Sequence, residues 1–300
     1  MKYLKVMFRY CAGVLANSCL FASARELWKQ NQINWNIKLS KFDKLTTGIY
    51  LILSDFAVGK FPPRFDDPKE THKGEIDYRS AFPGVSRDEF TESTARAPFR
   101  DRSRLHERMT QFLEVYSCLE KCGITPPSRI LELGCGTGWM AEFFALIGYS
   151  VCATTLSPDD VNEATRYRTQ DVASRFPAGN LEYRTSAMET VKDAVKDLKL
   201  FDAVYVSEAL HHAHDWKSTI LSAQQCLRPG GWLLLCAEPN ILHIFTSYRI
   251  SKLTHAHEIG FSRRELVHFA KSSNFDQIVV LRNRCNLGFK SHWLAARNGL

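Results

Sequence analysis

The chain has 300 residues, of which 45% are hydrophobic and 12% aromatic, with a formal net charge of +7. This composition suits a packed core and argues against disorder, and the length allows one large α/β domain with an extension. The nine cysteines (11, 19, 118, 122, 135, 152, 226, 236 and 285) contain no CxxC pair, and several lie inside apolar runs. That pattern suits reduced thiols better than a disulfide framework or a zinc site, and no metal is expected even at Cys118 and Cys122.

Residues 1–61 are apolar and basic and read as partly helical. The first 60 carry nine Lys/Arg against three acids, which is +6 of the total. With Tyr3, Phe8, Tyr10, Phe21, Trp28 and Trp35, such a segment suits an anionic membrane surface or nucleic acid; a solvated face on ordinary helices is the favoured reading. Lys2, Lys5 and Arg9, then Tyr10–Ala22 and Ala22-Ser23-Ala24, imitate a secretory signal. Asn17 and Ser18 interrupt that stretch, and it is too short to span a bilayer. A cytoplasmic protein is expected, with membrane association through residues 1–60 as the alternative. Leu45–Val58 holds a second apolar run, broken by Ser54 and Asp55. Residues 62–103, with Pro62-Pro63, Asp66-Asp67-Pro68 and Pro83-Gly84, read as a loop or lid and not as a core element.

From Arg104 the pattern alternates. Leu105, Met109, Phe112, Leu113, Tyr116 and Leu119 share a helical face in Arg104–Cys122. Ile130–Leu133 is a strand, followed directly by Gly134-Cys135-Gly136-Thr137-Gly138 and a helix over Trp139–Ile147. Tyr149–Thr154 is the second strand, and Ser157-Pro158-Asp159-Asp160 starts a helix with a capping hydroxyl and acids on its dipole. Leu181–Arg184 and Phe201–Val206 are the third and fourth strands. A helix over Trp216–Leu227, a turn at Pro229-Gly230-Gly231 and an apolar fifth strand, Trp232–Ala237, follow. Ser262-Arg263-Arg264-Glu265 reads as a capping box. Phe275–Leu281 and Trp293–Ala296 end the sheet and, joined around Asn286-Leu287-Gly288 without a helix, should pair antiparallel. The expected architecture is an N-terminal extension over 1–103 and a doubly wound, mostly parallel sheet over 104–300, with its ligand beyond the strand C-termini.

The loop after the first strand carries the chemistry. A dinucleotide fingerprint, GxGxxG, would need glycine where Trp139 stands; the pattern is GxGxG with Glu132 two residues ahead. An acid beside a glycine turn suits a cationic ligand better than a pyrophosphate. Arg129–Gly138 resembles motif I of class I S-adenosylmethionine-dependent methyltransferases. Phe201–His212 is similar to their fourth-strand motif, particularly in the type-11 subgroup, and Leu227–Trp232 to the turn before their fifth strand. The resemblance covers about 104–300 and implies a seven-stranded Rossmann-like sheet with an antiparallel final strand.

It further implies that Glu132, Gly134, Cys135, Gly136, Thr137 and Gly138 line the methionine and ribose portion of S-adenosylmethionine. The family usually ends its second strand with an acid that holds the ribose hydroxyls. Thr155 stands there, before Leu156, and Asp160 either reaches over instead or only stabilises its helix. Ala187 replaces an acid common beside adenine, and Met188 suits the purine face. Ser207, Glu208, His211, His212 and His214 follow strand four, where the methyl group should sit. His212, then His211 and Glu208, are the candidate bases for an oxygen or carbon acceptor; the alternative is loop packing. The loop lacks Asn-Pro-Pro-Tyr, so no nucleic-acid partner is expected. The expected activity is methylation of a small molecule. Two alternatives are a non-catalytic S-adenosylmethionine-binding protein and a membrane-associated methyltransferase of a lipid, quinone or glycan precursor. The inserts 62–103 and 240–262 are expected to shape the acceptor pocket. His255, His257 and Glu258 line it or, in the favoured reading, form a solvated loop.

Overall fold

Helical periodicity in the N-terminal third and strand–helix alternation after Arg129 give two different ways of burying apolar surface, and the chain uses both. The computed structural model describes residues 2–63, 66–86, 102–175, 180–258, 260–281 and 291–300. They form two compact units, 1–90 with 241–260, and 91–240 with 261–300.

The first unit is helical: α1 (Lys2–Asn17), α2 (Ala22–Ile33), α3 (Lys41–Ala57), α4 (Pro68–Ile76) and α9 (Ile244–Thr254). α3 begins at a formed capping box, with Ser40 accepting from the Asp43 amide and Asp43 accepting from the Ser40 amide. It crosses α9 closely at Gly48, where a β-carbon would lie 1.7 Å from the Phe245 carbonyl oxygen. Nearby, the buried Asp55 accepts from the Tyr248 hydroxyl at 2.7 Å and from Lys252 Nζ at 2.7 and 2.8 Å. Arg249 donates to Asn31 at 3.1 Å and lies 4.1 Å over the Trp35 ring. Within the expected lid, residues 66–86 are therefore not simply a loop. Pro68 and the Asp67 cap nucleate α4, and Thr71 and Phe82 are buried. The remainder of the expected lid, 87–101, lies outside the described residues.

The second unit holds α5 (Arg102–Lys121), β1 (Arg129–Leu133), α6 (Trp139–Leu146), β2 (Ser150–Thr155), α7 (Pro158–Arg175), β3 (Leu181–Thr185) and β4 (Phe201–Ser207). It continues through α8 (Trp216–Cys226), β5 (Leu227–Pro239), α10 (Arg263–Ser272), β6 (Phe275–Val280) and β7 (Ser291–Asn298). The seven strands lie in the order β3-β2-β1-β4-β5-β7-β6. β1 to β5 pair in parallel, and β7 runs antiparallel to both β5 and β6. The expected mostly parallel, doubly wound sheet is thus found, with the last two strands paired antiparallel. Their connection, including Asn286-Leu287-Gly288, lies outside the described residues. Strand order reverses between β1 and β4, which opens a crevice at their C-terminal ends. Beneath it, Phe144, Tyr149, Tyr205, Ile130 and Leu131 are fully buried.

Two local expectations are corrected. β5 runs on through Pro229-Gly230-Gly231, with a register shift against β4 between Phe201 and Ala203. Ser262 starts α10 without any side-chain capping bond, so no capping box forms there. Ser157 does cap α7, accepting from the Asp160 amide at 3.3 Å.

Candidate active site

The turn leaving β1 has left-handed backbone at Gly134 (φ 70°), Gly136 (φ 53°) and Gly138 (φ 70°). These glycines answer different needs. A β-carbon on Gly138 would fall 2.2 Å from the Tyr183 ring, whereas one on Gly136 would meet nothing within 4 Å. Gly138 is required by packing and conformation, Gly136 by conformation alone. Neighbouring elements hold the turn: the Cys135 amide donates to Thr154 O at 2.9 Å, Tyr183 Oη to Gly138 O at 2.9 Å, and Arg168 Nε to Thr137 O at 2.6 Å. Arg168 also pairs with Glu142 at 2.6 Å, and both residues are buried.

Glu132 pairs in the sheet opposite Ala153 of β2 and Tyr205 of β4. It is buried, and Oε2 and the Tyr205 hydroxyl each lack a well-formed hydrogen bond. Burial pushes its carboxyl up to about 7, which Tyr205, the Ala141 amide and Arg168 only partly oppose. A carboxyl this poorly solvated, beside a rigid turn, is suited to a cationic partner. The Cys135 thiol is held well above its ordinary value, first by burial and then by Glu132 and Asp160. Asp160, at the start of α7, therefore bears on the glycine turn. Thr155 closes β2, buried, with its carbonyl accepting from the Ser186 amide at 2.9 Å; Leu156 is partly buried.

After β3, Ala187 opens a short 3-10 turn containing Met188. Met188 Sδ lies 3.6 Å from where a Gly134 β-carbon would stand, so this segment overhangs the glycine turn. The Ala209 β-carbon would be 2.6 Å from the same point, which brings the loop after β4 to it as well.

In that loop, Ser207 Oγ accepts from Gln111 Nε2 at 3.2 Å. Glu208 has a left-handed backbone (φ 50°) and lies 3.8 Å from Arg108, which itself stacks 5.7 Å over Trp139. Desolvation raises the Glu208 carboxyl, and Arg108 draws it partly back. The 3-10 turn Leu210–His212 is organised by Glu238, which is fully buried at the end of β5. Its carboxylate accepts from the amides of Ala209 (2.9 Å), Leu210 (3.0 Å) and His211 (3.2 Å), and from His211 Nδ1 (3.0 Å). Burial alone would raise its pKa, but His211 and the amides outweigh burial and lower it. The His212 ring lies 4.2 Å from that of His211, centroid to centroid, and is less buried. His214 is partly buried.

The structure thus brings Met188 and Ala209 to Gly134 and sets Glu132 and Asp160 near Cys135, while His211 and His212 lie against each other in the loop after β4. Sequence reasoning missed Glu238, Arg168, Tyr183, Arg108 and Gln111. Glu238 left a signal, an acid just beyond the apolar run Trp232–Ala237 and therefore at the ligand end of a central strand. Arg168 left none beyond its place in an amphipathic helix. His257 and Glu258 do not form a solvated loop: both are buried in the helical unit, where the His257 amide donates to Glu75 at 2.7 Å and Glu258 lies 3.2 Å from His243 Nε2. His255 is exposed, at φ 60°.

Known methyltransferases resemble this chain in sequence and in fold. A ubiquinone biosynthesis O-methyltransferase from Xanthomonas campestris is 32% identical over 110 residues, 37% of this chain and 43% of that protein. A mitochondrial ubiquinone biosynthesis O-methyltransferase from Schizosaccharomyces pombe is 27% identical over 180 residues, 57% of this chain and 63% of that one. The chain therefore spans less than two thirds of either relative. Among solved structures, the CurJ carbon methyltransferase superposes with a TM-score of 0.50 at 17% identity, covering 93% of this chain and 70% of that one. A family model of the methyltransferase domain matches residues 101–279. With that match over a class I sheet and its glycine turn, the chain belongs to the class I methyltransferase-domain family.

Proposed function

We propose that this protein transfers a methyl group from S-adenosylmethionine to an oxygen or carbon of a small molecule. The observation that carries the reading is Glu132: a buried carboxyl with an unpartnered oxygen, beside three left-handed glycines at the strand-order reversal. The residues present fit this cofactor, whose sulfonium supplies an electrophilic methyl group. Glu132 would accept from its ammonium group. The backbone of Gly134, Cys135, Gly136, Thr137 and Gly138 would pack along the methionine and ribose. Asp160, assisted by Thr155, would take the ribose hydroxyls in place of the usual strand-end acid. Leu156, Ala187 and Met188 would bracket the adenine, and Ser207 would close the methionine side.

For acceptor activation the geometry favours His211. With Glu238 accepting from Nδ1–H, the lone pair of the neutral form of the ring would lie on Nε2, the nitrogen that would take a proton from an acceptor hydroxyl or acidic carbon. His212 and Glu208 flank the same loop and would position the acceptor; alignment supplies most of the remaining acceleration. The relatives named as O-methyltransferases support oxygen over nitrogen. A second reading, a binder without turnover, is motivated by Thr155 and Ala187, neutral where the family commonly has acids. Calorimetry with S-adenosylmethionine and S-adenosylhomocysteine tests the cofactor. Methyl-labelled cofactor with fractionated cell extract, read by mass spectrometry, tests turnover. Saturable binding with no labelled product in any fraction supports the second reading, and no binding removes both.

A further inference from the structure

We propose that α1 is a membrane-contact helix that lies in the plane of an anionic lipid surface through its outward apolar stripe. This reading concerns the helical unit and stands apart from the methyl-transfer assignment. α1 is built inside out for a helix of a water-facing domain. The side it buries is small and holds Ala12 and Ala16, with Gly13 packed so near α3 that a β-carbon there would lie 3.3 Å from the Ala57 methyl. Its large apolar residues point the other way. Leu4, Met7, Phe8, Val14 and Leu15 recur at helical spacing on one face, with the exposed Cys11 between them, and those five are each 41–56% exposed. Leu20, just past the end of the helix, is 77% exposed. From Leu4 to Leu15 the stripe runs about 17 Å at the helical rise. A contiguous apolar face of this kind marks an interaction surface, unlike scattered exposed leucines.

Charge selects the occupant. Residues 1–33 contain Lys2, Lys5, Arg9, Arg25 and Lys29 against Glu26 alone, and no acid precedes Arg25. A symmetric contact between two copies of α1 would bring its three bases, Lys2, Lys5 and Arg9, together with no acid on the helix to offset them, whereas anionic headgroups would neutralise them while the stripe enters the acyl boundary. No single helix among the described residues is long and apolar enough to cross a membrane. α1 and the following segment Cys19–Ile33 meet at a 59° bend, so together they reach the length and apolarity of a span only as a broken one. An in-plane helix uses the same apolar residues without asking 16 residues to cross the hydrocarbon.

The test is co-sedimentation of the full chain with vesicles of phosphatidylcholine alone or mixed with phosphatidylglycerol, at low and high salt. Binding is expected to the mixed vesicles, weaker by about tenfold or more in high salt and in the Phe8→Glu/Leu15→Glu variant. Circular dichroism and thermal melting should be unchanged in that variant, because both side chains face solvent. Absence of vesicle binding, or binding indifferent to lipid charge and to the substitutions, overturns the proposal. So does a concentration-dependent dimer in sedimentation velocity that the same variant disperses while vesicles are ignored. A mature chain from the native source that begins after Ala24 also overturns it, since α1 would then be a cleaved leader.

Discussion

Replacing Glu132 by Gln removes a charge that the fold holds at a cost, and that cost can be worked from the structure. The carboxyl is buried in the sheet between β2 and β4, and burial raises its pKa from the usual 4.5 to about 7. Between those values the folded protein holds a proton that the unfolded chain has released. Glu132 therefore imposes no ionisation penalty below pH 4.5, and its relative stabilisation is lost as pH rises through about 7. At about 1.4 kcal/mol for each pH unit, the full penalty is about 3 kcal/mol, most of it arising between pH 5 and pH 8. Gln is neutral throughout. Urea denaturation without cofactor should therefore show the stability difference between the Gln variant and wild type shifting by about 2–3 kcal/mol in favour of the variant over that window. Cofactor binding should behave oppositely. An ammonium group at Glu132 stabilises the ionised form, so wild-type affinity should rise about tenfold from pH 6 to pH 8, with proton release on binding, while the variant binds weakly and with a flat profile. A stability difference constant within about 0.5 kcal/mol across the window would refute the reasoning, because the carboxyl would then ionise in the fold as it does in water.

Gly138→Ala should destabilise by about 3 kcal/mol or more and abolish cofactor binding, since its β-carbon meets Tyr183, whereas Gly136→Ala should cost about 1 kcal/mol of backbone strain; paired denaturation curves measure both. Glu238→Ala should cost about 3 kcal/mol by removing the buried acceptor of three amides and of His211 Nδ1. Because the Glu238 pKa is lowered in the fold, its stabilisation is present above the usual 4.5 and lost as pH falls through the folded value, so the wild-type advantage over Glu238→Gln should shrink in acid. Asp160→Asn should weaken S-adenosylmethionine binding about tenfold, and Thr155→Asp should restore it, by calorimetry; an unchanged Asp160→Asn affinity would confine that acid to its helix. Arg168→Ala should cost about 3–5 kcal/mol by removing the buried ion pair to Glu142 and the Nε donor to Thr137 O, and Arg168→Ala/Glu142→Ala should recover part of that loss in the same assay.

The glycine turn, the strand–helix alternation and the antiparallel final pair were legible in the residues because each is a local constraint. A left-handed φ favours glycine, a period of two or 3.6 marks strand or helix, and a connection too short for a crossover helix forces an antiparallel return. Glu132 was legible for the same reason, as its neighbours in sequence are its neighbours in space. The Ser262-Arg263-Arg264-Glu265 pattern misled because a capping box is a side-chain geometry, and only the packing of α10 decides whether Ser262 turns inward. Segment 66–86 misled because proline and aspartate that end one element also start another, here α4.

What the sequence determined by itself is the cofactor end of the sheet, with the backbone that a sulfonium nucleoside would meet. What only the tertiary structure decided is everything made by distant partners. Glu238 reaches back 27 residues to fix His211, and Arg168 closes on Thr137 across 31. Segment 241–260 leaves the sheet unit to join residues 1–90, and α1 turns its large apolar side chains outward and its alanines in. The physical reason is common to all four. Periodicity states that a face is apolar or a residue charged, but which surface meets it depends on how the whole chain closes, and no local rule carries that information.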